Sequence, residues 1–148
     1  MRARVLAVAA TLLALLGSSD LPAQAPACAK GDFESVVNEA GAVLRDLNRE
    51  NTPLFQAKLR QLKDKRSWSN DQFLKEAEPF VRDEQIVGYD QKSESLLGRI
   101  AGGDTSGASE APNCSLLTEL RTAMTQLVDT QKAKWGYMFA KIDKELAK

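Results

Sequence analysis

The chain has 148 residues, 20 basic against 20 acidic side chains, two cysteines and no histidine. Its balanced charge supplies no long-range field to draw in nucleic acid or an anionic bilayer. Without imidazole there is no Ser-His-Asp or Cys-His nucleophile, no neutral-pH proton shuttle, no histidine metal ligand and no haem held through C-x-x-C-H.

The chain opens with Arg2 and Arg4, the apolar run Val5 to Leu16, a small and polar stretch, and Ala23-Gln24-Ala25. That order of charge, apolar run and A-x-A site predicts a signal peptide over residues 1–25 and a periplasmic or secreted protein. Twelve residues make about 18 Å of helix, short of the ~30 Å hydrocarbon core, so no membrane anchor is expected here. Pro26 is a poor residue to cut before, which leaves positions 23 and 27 as alternative cleavage points. Cleavage before Cys28 as a lipoprotein is disfavoured by Pro26 and by the eleven residues between Leu16 and Cys28. In an oxidising compartment Cys28 and Cys114 are then expected to form one disulfide, since the chain offers no other pairing. Loss of Arg2, Arg4 and Asp20 leaves 18 basic and 19 acidic residues. Residues 26–148 suit a single domain.

Every later segment reads as helix or as punctuation between helices. Asp32 is a candidate cap for a first helix, with Phe33, Val36, Val37, Ala40, Leu44 and Leu47 on one stripe. Asn51-Thr52-Pro53 predicts an end to that helix and the start of a second, with Pro53 at its first position. Phe55, Leu59 and Leu62 form the second stripe, which runs to about Arg66. Ser69 with Gln72 is a capping box for a short third helix carrying Phe73, Leu74 and Ala77, which Pro79 should end or kink. A fourth helix is expected from about Phe80 to Ala101, with Ile86, Tyr89, Leu97 and Ile100 on its buried face. Residues 102–112, rich in Gly, Ser and Ala, read as a flexible loop. Leu117, Leu120, Met124, Leu127, Gln131, Trp135, Met138, Ile142 and Leu146 then recur every three or four residues in a long last helix.

These elements define an all-α bundle of about four to five helices with a long C-terminal helix and one disulfide. Cys28 precedes the first helix and Cys114 opens the last, so the two should run parallel, in an up-down-up-down-up order. The last helix would outreach the first. Its Trp135, Met138, Phe139 and Ile142 must then be covered by the corner around Trp68, or stand exposed as a partner surface.

No Gly-rich phosphate loop, calcium loop or zinc spacing occurs, so no cofactor, metal or catalytic residue is implied and the chain is not expected to be an enzyme. Two polar constellations could carry function. Asp90 and Ser93 lie near the centre of a buried face, and Gln131 sits within the last stripe. With Tyr89 and Trp135 as apolar walls they would make a small-ligand site, or else a hydrogen-bonded pair that fixes helix register. Lys58, Arg60, Lys63, Lys65 and Arg66 would make a basic face for an anionic partner, or else a solvated face. Tyr137 lies opposite the apolar stripe and reads as an ordinary exposed tyrosine. The expectation is an exported, non-enzymatic envelope protein that binds another macromolecule, or itself as a homodimer, through helical surface. The alternative is a small-ligand carrier or sensor with its site between helices.

Overall fold

A computed structural model describes residues 28–102 and 114–148, and everything below concerns those residues. The signal segment, residues 103–112 of the expected loop and residue 113 lie outside them. Four helices and no strand are found: α1 (Lys30–Lys65), α2 (Asn70–Val81), α3 (Glu84–Gly102) and α4 (Cys114–Leu146). No helix is long and apolar enough to cross a membrane.

The fold is organised by α1 and α4, about 54 and 50 Å long at 1.5 Å per residue, lying parallel and side by side. Cys28 and Cys114 form the expected disulfide at one end, with Cα atoms 5.2 Å apart and 86 residues between them in sequence. Further along, Trp135 Nε1 donates to Asn48 Oδ1 at a separation of 87, and Lys58 meets Asp143 at a separation of 85. The offset is nearly constant from end to end, so the two helices stay in register. α3 runs antiparallel on another side of α4: Asp83 meets Tyr137 and Lys141, Asp90 meets Lys134, and Ser93 meets Gln131.

The expected break at Asn51-Thr52-Pro53 does not occur; α1 passes straight through Pro53, which faces solvent. The missing N–H and the ring clash cost about 3 kcal/mol. A change of direction there would take Phe55, Leu59 and Leu62 off α4, where each buried side chain stabilises by about 1.5–3 kcal/mol. The second sum is larger, so packing wins. Asn51 Nδ2 adds a bond to Leu47 O, 2.7 Å, beside the gap in the ladder. With α1 continuous, the supposed mismatch between first and last helix disappears. Parallel ends are reached by four helices, α2 and α3 together supplying the return.

Local chemistry sets the ends. Asp32 is not the cap of α1; Ala29 is, and Asp32 Oδ2 reaches back to accept from Ala29 N at 2.8 Å. α1 closes with Ser67 at φ 53°, Trp68 N donating to Lys63 O and Ser67 N to Asp64 O, the two bonds of a Schellman turn. That turn tucks Trp68 against the core. Ser69 and Gln72 form the expected capping box, at 2.8 and 3.2 Å. Pro79 is accommodated near the end of α2, which stops two residues later, and Asp83 caps α3 by accepting from Ile86 N at 2.8 Å.

The C-terminal end of the pair holds Phe55, Leu59, Leu62, Phe80, Ile86, Met138 and Ile142, with Trp68, Phe73 and Ala77 packed around them. Met138 and Ile142 are therefore core, while Trp135 and Phe139 are half-buried against Phe55. The N-terminal end holds Cys28, Val36, Ala40, Leu117, Met124 and Val128, with Leu96, Ala123 and Leu127 beside them toward α3. Three expected core positions are exposed instead: Val37, Leu74 and Leu97. On α3 the buried face turns toward Ser93 and Leu96, which carries Leu97 to solvent.

The two ends are held differently. The C-terminal half carries edge-to-face aromatics and the ion pairs Lys58–Asp143 and Arg66–Glu145, whereas mainly aliphatic side chains and the disulfide hold the N-terminal half. Replacing both cysteines by serine should cost about 4.5 kcal/mol on loop-closure grounds. Amide exchange should then accelerate most in the first five turns of α1 and least between Phe55 and Leu62; uniform acceleration would show that the clamp acts on the whole bundle alike.

Candidate functional site

The first polar constellation is divided by the fold. Gln131 Nε2 donates to Ser93 Oγ at 2.8 Å, and Ser93 Oγ donates to Tyr89 O at 2.9 Å, a short chain of bonds locked between α3 and α4. Asp90 accepts from Lys134 one turn away, with nearly half of its side chain exposed. Trp135 lies elsewhere, its indole bonded to Asn48 of α1 and its ring 6.0 Å from Phe55. Tyr89 faces Tyr137 at 6.4 Å between centroids. The five residues thus surround no common cavity. Among the described residues no buried side-chain polar atom lacks a partner, and no acidic or cysteine cluster could hold a metal ion.

The basic residues of α1 are also largely committed within the chain. Lys58 pairs with Asp143, Arg66 with Glu145 at 3.0 Å, Lys65 donates to Leu146 O, and Lys63 donates to Asn70 while lying over the Phe73 ring. Their positive charge also complements the carbonyl end of α1. Arg60 is left pointing to solvent. What reads in sequence as a basic face is the seam between the ends of α1 and α4.

The tightest polar cluster was missed by the sequence reading. Asp83 accepts from Tyr137 OH at 2.7 Å, from Lys141 Nζ and from Ile86 N, while Lys141 also donates to Pro79 O at 2.6 Å. Burial pushes the Asp83 carboxyl up, but hydrogen bonds from Lys141, Ile86 N and Tyr137, with the lysine charge, outweigh it and hold it at about 2 instead of 3.8. The bond to Asp83, with burial, pushes the Tyr137 phenol up. Tyr137 is therefore not an idle surface residue: it and Lys141, one turn apart, brace the corner where α2 gives way to α3. Asp83 three residues before Ile86 was the available cap signal; its partners on α4 leave no trace in local spacing.

A groove also runs along the side of the α1–α4 pair. Its volume is about 370 Å³. Val36, Ala40, Val43, Met124 and Val128 form the floor; Asp32 and Glu39 stand on the α1 wall, and Arg121, Asp129 and Lys132 on the α4 wall. No ion pair crosses it among the described residues, although Asp32 accepts from Ala29 N and Glu39 from Ser35 Oγ within α1. Val36, Ala40 and Met124 read in sequence as core stripe and Asp32 as a cap, but nothing there joins them, because the groove exists only once α1 and α4 lie parallel. No family model, curated protein or solved structure matches the chain.

Two outcomes follow. Asp83 has its folded-state carboxyl held down, so it stabilises above its ordinary 3.8 and loses that contribution as pH falls toward about 2. The difference in unfolding free energy between wild type and Asp83→Asn should shrink across that acid window, as urea titrations at stepped pH would read. Ser93→Ala should cost about 1–2 kcal/mol by stranding the Gln131 amide, and the double variant S93A/Q131M should recover most of it. A double variant as weak as the single would show that the amide is not what is lost.

Proposed function

We propose that this is an exported, non-enzymatic protein of the bacterial envelope that works by macromolecular association, and that its contact surface is the groove side of the α1–α4 pair. The observation that carries this reading is where the bonds between helices fall. The polar groups of the α3–α4 interface and of the C-terminal seam have partners inside the chain, whereas Asp32, Glu39, Arg121 and Lys132 flank an apolar floor with no ion pair across it.

Export is supported by the order of residues 1–25 and by the Cys28–Cys114 disulfide, which persists in oxidising compartments. A groove open along a helix pair suits another helix or surface better than a small molecule, for which enclosure on most sides is the rule. The small-ligand alternative has no observation in its favour, since the Ser93–Gln131 pair is satisfied and lines none of the grooves found.

Native mass spectrometry of the chain taken from an envelope fraction, without reductant, tests the reading. The expected result is an oxidised chain whose added mass, where present, is that of a protein. A stoichiometric small-molecule adduct that survives purification would overturn it in favour of a carrier.

A further inference from the structure

Resting on that reading, we infer that the occupant of the groove is a second copy of this chain, packed face to face about a two-fold axis that runs parallel to α1 and α4. The argument begins with charge. The α1 wall is acidic, with Asp32 and Glu39 in the groove, and helical spacing carries the same flank on through Asp46 and Glu50. The α4 wall presents Arg121 and Lys132 with one acid, Asp129, between them. A surface with one acidic and one predominantly basic edge is complementary to itself only in certain orientations.

Two face-to-face arrangements are available to a two-fold pair. An axis across the helices lays α1 over the partner's α1, acid against acid. An axis along them lays α1 over the partner's α4, acid against base on both sides of the interface. Like charges set opposite one another cost several kcal/mol across an interface, so the pattern selects the axial arrangement.

Register agrees with this choice. About an axis parallel to the helices, residues meet at the same height, and the offset of 86 along the pair sets heights. It brings Lys132 level with Asp46, and Arg121 level with Ser35, between Asp32 and Glu39. Asp129 comes level with Val43, between Glu39 and Asp46, so one like-charge approach opposes these two favourable ones. Within one chain Asp46 is held by Arg49 at 2.9 Å in a solvent-exposed pair, which is cheap to exchange.

Apolar surface and size fit as well. Val43 and Leu54 are 41% and 59% exposed on the α1 flank, and Trp135 and Phe139 continue the Val128 line of α4 while only half-buried. A face about 50 Å long and about 20 Å wide offers on the order of 1,000 Å² per subunit, above the ~800 Å² of a standard stable interface. The contact is isologous and closes on two copies.

Sedimentation equilibrium of the disulfide-intact chain, from micromolar concentration upward, tests this. Wild type should reach the dimer mass. Glu39→Lys and Arg121→Glu should each weaken dimerisation at least about tenfold, and the double variant E39K/R121E should restore it, because the swap rebuilds both contacts. Circular dichroism should show all three folded, as expected for surface positions. A wild type that stays monomeric overturns the inference, as does a dimer indifferent to these charges. If the monomer captures an envelope protein and Arg121→Glu abolishes capture, the groove reading survives and only the second copy is lost; capture indifferent to Arg121 sinks both.

Discussion

The parallel, in-register alignment of α1 and α4 is the constraint from which the other features follow. Two helices that run the same way cannot be joined by a tight turn, so the chain between them must travel the length of the bundle back. α2 and α3 are that return. α2 forms the corner over Phe55, Leu62 and Ile142, and α3 descends along α4. α4 consequently meets α1 on one side and α3 on another, which explains why its buried positions, from Leu117 through Thr130 to Ile142, spread over more than a single narrow stripe. α1, with α4 on one flank, keeps a free one, and the groove opens there.

Electrostatics follows the same division. Most charge that looks functional in the primary structure is spent holding the ends together. The basic last turns of α1 meet Asp143, Glu145 and the closing carbonyls of α4, and Lys141 with Tyr137 secures Asp83 at the α2–α3 corner. These arrangements pin the C-terminal half, whose aromatic contacts are edge-to-face and whose core side chains are the most deeply buried. The N-terminal half, with its smaller side chains, relies on a covalent link. The charges on the groove walls along that half form no ion pair across the groove, so the surface proposed for association lies where the fold itself is least reinforced.

Much of the architecture was legible from local signals. The disulfide followed from two cysteines and no competitor; the parallel ends followed from its placement; the Ser69–Gln72 box and the long C-terminal periodicity appear as read. The errors share a cause, which is that tertiary contact overrode a local rule. Pro53 is a strong breaker by propensity, yet Phe55, Leu59 and Leu62 gain more on α4 than the proline loses. Leu97 and Leu96 are adjacent apolar residues, and only the direction of α4 decides which is buried. Tyr137 looked idle on a helical wheel because its partner, Asp83, is more than fifty residues away. The groove, assembled from two distant helices, had no sequence signature at all.

The spacing between α1 and its partner has a consequence for how the molecule comes into being. Nearly every contact that buries the α1 stripe is made with residues about 85 positions later. As the chain emerges from its N-terminal end, a 36-residue helix must therefore wait, apolar flank uncovered, until the last element arrives. Domains rich in neighbouring-helix contacts can zip up as they appear; here the pairing that covers α1 is long-range and closes last. Burial of α1 is completed only when the far end of the chain is in place. Until α4 is complete, the nascent protein is a sticky intermediate, and escorting factors would find their substrate in α1.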